Sequence, residues 1–122
     1  MSTQYGMTVG FGDFSIGAAT YNVDSKAGTS GTDNYEGKAT TVGASYKLTD
    51  SMTIAYSTTT SEVDAGNDVG DELDTDSFGV NYTIASGLSL AVAFNSSAYS
   101  DADAANKSMD TDEVRAELTA KF

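Results

Sequence analysis

The sequence predicts an all-β fold of antiparallel strands joined up and down, and three observations lead there. Seven Tyr, five Phe and many Thr, Val and Ile favour pleated strands, while Gly and Asp gather between them where turns are needed. Large apolar residues alternate with small or polar ones at a period of two through most of the chain. Very short turns also alternate with long polar connections, the asymmetry of an up-and-down topology. The 122 residues suit one domain, but 39% hydrophobic content with no Pro, Cys, Trp or His is poor material for a thick helical or sandwich core.

Taken in order, Tyr5, Met7, Val9 and Phe11 run to the turn Gly12-Asp13, and Phe14, Ile16 and Ala18 return. Thr40, Val42, Ala44, Tyr46 and Leu48 lead through Thr49-Asp50-Ser51 into Met52, Ile54 and Tyr56. Phe78, Val80, Tyr82 and Ile84 turn at Ala85-Ser86-Gly87 into Leu88, Leu90, Val92 and Phe94. The last run sets Val114, Ala116, Leu118, Ala120 and Phe122 against Arg115, Glu117, Thr119 and Lys121. Seven strands are expected, near residues 4–11, 14–23, 38–48, 52–62, 76–84, 87–98 and 113–122, in a single segment spanning 1–122. Acidic residues are expected in the long connections between them.

Several function classes drop out on composition. Without Cys there are no disulfides or thiolate metal sites, and without His the usual neutral-pH acid/base and zinc chemistry is gone. Eighteen acidic against six basic residues, a formal charge of −12, repel a phosphate backbone, so no nucleic-acid partner is expected. Paired carboxylates can hydrolyse glycosides, but only in a cleft that perturbs one of them, and these lie in Gly-rich polar segments. An enzyme is not expected.

A membrane β-barrel fits what remains. About ten residues tilted by ~45° cross the apolar band of an outer membrane, and most of the runs approach that length. A mean hydropathy of −0.26 is compatible with such a wall, because lipid-facing and lumen-facing residues alternate. Phe11, Phe14, Tyr46, Tyr82 and Phe122 lie near the short-turn ends, while Tyr5, Tyr56, Phe78, Phe94 and Tyr99 lie nearer the loop ends, as two aromatic girdles would. The start, MSTQYGMTVGFG, lacks the basic and apolar regions of an export signal, so a removed signal, a fragment or no export is expected. The same strands could also build a soluble meander or small barrel, with the apolar faces inward.

The hairpin series ending in DEVRAELTAKF resembles the carboxy-terminal strands of Gram-negative general diffusion porins, particularly those of alphaproteobacterial type. The resemblance covers essentially the whole chain, and its most specific part is the terminal strand. It implies that Val114, Ala116, Leu118, Ala120 and Phe122 form the signal read by the barrel-assembly machinery of the outer membrane. It also implies a sixteen-stranded transmembrane barrel of which these strands are part, a constriction loop in an amino-terminal half, and a homotrimer. Seven strands depart from that number, and an odd count cannot close an even antiparallel barrel.

Candidate sites follow from the alternation. Lys47, Arg115, Glu117 and Lys121 fall on the expected lumen side and are pore-lining candidates that could bias ion selectivity. The run from Glu62 to Asp76 collects carboxylates, of which Asp64, Asp68, Asp71 and Asp74 are candidate Ca²⁺ ligands, although their spacing matches no EF-hand. Divalent ions there could bridge to anionic lipopolysaccharide. The expected function is a water-filled outer-membrane channel for ions and small hydrophilic solutes. The alternatives are a small structural or adhesive barrel with acidic partner-binding loops, and a soluble Ca²⁺-binding module.

Overall fold

A strand with alternating side chains satisfies its backbone only through neighbouring strands, so seven such runs joined by short turns should form one sheet. A computed structural model describes residues 1–26, 34–65, 70–102 and 108–122, and all regular structure among them is strand. The strands are β1 (Ser2–Phe11), β2 (Phe14–Lys26), β3 (Asn34–Thr49), β4 (Met52–Ala65), β5 (Glu72–Ala85), β6 (Leu88–Ser100) and β7 (Ser108–Ala120). They form a single antiparallel sheet in chain order. The sheet is open, with β1 and β7 as its two edges.

The seven expected strands are present, and their turn-side ends fall within two residues of where the alternation placed them. Their loop-side ends run further: β3 begins at Asn34, β4 continues to Ala65, β5 begins at Glu72 and β7 at Ser108. Beyond the apolar alternation the ladder is continued by hydroxyls and carboxylates that bond across strands. Thr60 Oγ1 donates to Asp74 Oδ1 at 2.7 Å, and Thr41 and Thr59 share a hydroxyl bond of 2.8 Å. Ser77 donates to Asn95 Oδ1 at 2.8 Å. Such cross-strand pairs, with the β-branched preference of Thr, sustain pairing where hydrophobicity has ended. Several acidic residues expected in loops, among them Glu72, Asp74, Asp110 and Asp112, therefore stand at strand positions.

Two-residue connections close the three short hairpins at Gly12-Asp13, Asp50-Ser51 and Ser86-Gly87. Gly12 and Gly87 take φ values of +59° and +78°, the left-handed region these tight turns require. Each turn also rests on a later strand, because a turn carbonyl accepts a backbone N–H from beyond the hairpin. Lys47 donates to Asp13, Thr83 to Ser51 and Lys121 to Gly87, at 2.8, 2.8 and 2.7 Å. This happens because the register is staggered. Phe11 is the last residue of β1, yet its row crosses Phe14, Tyr46, Ile54, Val80 and Val92, and Val92 lies four residues past Leu88, the start of β6. Strands staggered in one direction across a sheet are strands tilted from its long axis.

A single layer leaves no interior. Among the described residues no hydrophobic side chain is buried, and Asp71, 9% exposed, is the one buried residue. The accessible surface is 8688 Å², against about 6,200 Å² for a compact monomer of 12.6 kDa by the usual scaling. Stability therefore rests on the ladder, the turns and whatever covers the faces.

The turns offer a direct check. A Cβ at Gly87 would sit 2.7 Å from the Lys121 carbonyl oxygen, whereas one at Gly12 meets nothing within 4 Å. Gly12→Ala should thus cost about 1 kcal/mol of left-handed strain, and Gly87→Ala about 1 kcal/mol or more beyond that, because the terminal segment must move. Urea midpoints of the two variants measured side by side would test this, and equal losses would mean that the Gly87–Lys121 approach carries no energy.

Candidate functional site: one apolar face and one small-residue face

The register sorts side chains onto two faces. Among the described residues, sixteen of the nineteen exposed large hydrophobic residues within strands lie on one side, from Tyr5, Met7, Val9 and Phe11 on β1 to Val114 and Leu118 on β7. Their rows are continuous across the sheet. Val9, Ile16, Ala44, Tyr56, Phe78, Phe94 and Val114 stand in register on successive strands, and the Phe78 and Phe94 rings are 6.4 Å apart and tilted by 32°. Towards the loop end the same face turns polar on β4 to β7: Thr58, Asp76, Ser96 and Asp112 share one row, and Thr60, Asp74, Ala98 and Asp110 share a row beyond it. Tyr56 sits at the boundary, its ring among the apolar residues and its hydroxyl donating to Asp76 Oδ1 at 2.8 Å.

The opposite face carries small side chains. Thr8, Gly17, Gly43, Ser57, Ser77 and Asn95 form one of its rows, and Gly10, Ser15, Ser45, Ala55, Gly79 and Ala93 the next. Space between strands is tight here. A Cβ at Gly17 would lie 2.9 Å from Thr8 Oγ1, and one at Gly43 would lie 3.2 Å from Ser57 Cβ.

Lys47, Arg115 and Glu117, three of the four charged residues singled out by sequence, belong to this side, but they are not gathered into one cluster. Arg115 ends the row of Ala55, Gly79 and Ala93, where small neighbours leave its guanidinium room. Lys47 and Glu117 share the following row, with Thr53, Asn81 and Ala91 between them, about 19 Å apart at ordinary strand spacing. Lys47 Nζ bonds Asp50 Oδ1 at 2.9 Å, and that ammonium holds the Asp50 carboxyl below its ordinary range, first by the hydrogen bond and then by its charge. Arg115 Nη2 lies 3.8 Å from Glu117 Oε2, an exposed pair of small energetic weight. Lys121 lies past the end of β7, with its backbone N–H on Gly87.

Val114, Ala116, Leu118 and Ala120 stand on the apolar face beside Phe94, Val92, Leu90 and Leu88, and Phe122 follows the end of β7. Of the candidate Ca²⁺ ligands, Asp68 lies outside the described residues. Asp64 occupies the register break of β4 opposite Glu36 and Gly37, and Asp74 accepts from Thr60 on the apolar side. Asp71, before β5, is turned instead toward Tyr99: its carboxylate accepts the Tyr99 hydroxyl at 2.5 Å and the Ala102 N–H at 3.0 Å. Among the described residues no three acidic side chains converge as a metal-holding group.

Two features escaped the sequence reading. Tyr99, expected in a girdle with Phe78 and Phe94, lies on the other face, one residue out of phase with them. It belongs to a row of Tyr21, Ala39, Ser61, Leu73, Tyr99 and Met109 on the small-residue side. The signal was present as a change of parity: Tyr21 breaks phase with Phe14 and Ile16, Leu73 with Phe78 and Val80, and Met109 with Val114. No protein-family model matches the chain, and no curated protein matches it.

The Asp71 contacts make a pH-dependent link between the start of β5 and the end of β6. Its carboxyl is held below the ordinary range by the Tyr99 hydroxyl first and the Ala102 N–H second, against the opposing effect of burial. A depressed folded-state pKa stabilises the link above the ordinary carboxylate range, and this support fades as pH falls from there through the folded value. Tyr99→Phe removes the larger cause, so the Asp71 midpoint in a carboxyl ¹³C titration should move up toward normal. An unmoved midpoint would show that the hydroxyl does not set it.

Proposed function

We propose that these strands form part of the wall of an outer-membrane β-barrel of the diffusion-porin kind, a water-filled channel for ions and small hydrophilic solutes. The observation that carries the reading is the sheet's pairing of opposites: among the described residues, sixteen exposed large hydrophobic residues on one face and mainly Gly, Ala, Ser and Thr on the other, with no buried core. In water such a layer leaves a broad apolar surface uncovered, which costs roughly 25 cal/mol per Å². Lipid covers it at no such cost, and the small-residue face then borders water. Strands of 10 to 16 residues, longer than the usual five or six, support the same reading. So do the one-way stagger and the crowding at Gly17 and Gly43, which belong to a tilted wall curving toward its small residues.

Roles follow for the residues already placed. Lys47, Arg115, Glu117 and Lys121 line the channel side and act on passing ions. The terminal alternation through Phe122 serves, by resemblance, as the assembly signal. The acidic rows at the loop end face lipopolysaccharide, and a homotrimer is the assembly the resemblance supplies. Neither a resident cofactor nor a catalytic step is part of this reading.

The test is the native polypeptide in an outer-membrane extract. It should migrate differently with and without heating, and the unheated band should conduct in steps across a planar bilayer. Solubility without detergent would overturn the proposal, and insertion without conductance would favour the structural or adhesive barrel. Within the channel, Lys47→Glu with Arg115→Glu should raise the cation-to-anion permeability ratio by about twofold or more. An unchanged ratio would take both residues off the ion path.

A further inference from the structure

On the small-residue face, side chains are small or polar over the turn-side half of every strand and change abruptly near the loop end. Among the described residues, the row of Tyr21, Leu73, Tyr99 and Met109 contains the three exposed large hydrophobic residues that this face bears within its strands. Val23 and Val63 flank it, each paired with Gly37. At this level the other face has already become acidic and hydroxylated, with Thr60, Asp74 and Asp110 in the adjacent row. The sheet therefore inverts its polarity along its length, in register across several strands. A strand that merely ran on into solvent would turn polar on both faces.

We propose that this row is an apolar collar at the outer mouth of the channel, which admits small polar solutes bearing an aromatic or alkyl face in preference to hydrated ions. The inference rests on the channel reading and adds its selectivity. Tyr21, Val23, Val63, Leu73 and Tyr99, together with four charged residues that include Asp71, border a cavity of about 330 Å³, at the lower end of the range for small-molecule sites. A hydrated ion crossing the Leu73, Met109 and valine side chains of this row finds no strong donor or acceptor on them to replace its water, the condition under which apolar constrictions resist ions. A solute with an apolar face gains by covering the Tyr and Leu surfaces while its hydroxyls keep their water. The collar is also held in place: Tyr99 is bonded to Asp71, and the Asp71 backbone carbonyl accepts from Val63 at 3.0 Å. Position, rather than composition alone, separates it from the charged pairs, which lie toward the turn end.

The experiment compares the unaltered native protein with a Tyr21→Ser, Leu73→Ser, Met109→Ser variant and with Met109→Ser alone. All three residues are exposed and Met109 is on an edge strand, so heat-modifiable migration should survive. Single-channel conductance in potassium chloride should rise about twofold or more in the triple variant and less in the single one. In liposome swelling, the rate for phenyl glucoside relative to glucose should fall from the unaltered protein to the triple variant. A triple variant that keeps both the conductance and the ratio of the unaltered protein would overturn the collar while leaving the channel standing. Absence of conductance in the unaltered protein would instead overturn the channel reading, and the collar with it.

Discussion

Each backbone N–H and C=O inside a single-layer sheet has to find its partner in the next strand, since nothing is packed above or below to supply one. That constraint fixes the register, and the register decides which side chains share a face. A slip by one residue between β5 and β6 would carry Phe94 away from Phe78 and set Ala93 or Asn95 in its place. The apolar rows are continuous over seven strands because each pairing holds this phase. The hydroxyl and carboxylate bridges, such as Thr60 to Asp74 and Ser77 to Asn95, reinforce the phase where apolar contacts cannot.

The stagger has a similar origin. Two-residue turns allow no slack, so each hairpin begins where its strands end, and the next strand must overshoot it for the turn carbonyl to be satisfied. Three turns do this in the same sense, at Asp13, Ser51 and Gly87. Repetition of one local bond thus produces a tilt across the whole sheet, so that the row of Phe11, the last residue of β1, reaches Ala116, four residues before the end of β7.

Much of the architecture was legible in the sequence because period-two alternation and turn chemistry are both local. The seven strands, their order and the short turns followed from runs such as Leu88 to Phe94 and from Gly87. The loop-side ends were not legible, because Thr, Ser and Asp have weak strand signatures alone and gain strand structure from partners distant in sequence, as Asp74 does from Thr60. Parity sets Lys47, Arg115 and Glu117 opposite the large apolar side chains, but whether they meet depends on register over several strands: Lys47 and Glu117 share a row without touching, while Lys47 is engaged by Asp50 three residues away. Asp71 was read as one carboxylate in an acidic run. Its partner, Tyr99, lies 28 residues on, and no local pattern announces that bond.

Net charge is consequently a poor guide to what the small-residue face presents. Of the 18 acidic residues, Glu62, Glu72, Asp74, Asp76, Asp110 and Asp112 stand on the apolar side toward the loop end. Of the six basic residues, Lys47 and Arg115 stand instead on the small-residue side toward the turn end, and Lys121 lies past the turn-side end of β7. Charges separated by more than a Debye length, about 8–10 Å at ordinary ionic strength, screen one another out, so the acidic rows exert little field at the turn end. In the proposed channel an ion near Arg115 responds to that guanidinium and to Glu117 beside it far more than to the overall charge of −12. Selectivity would then be set twice along one path: by an apolar collar at the loop end, which acts through hydration, and by a few paired charges near the turns, which act through sign.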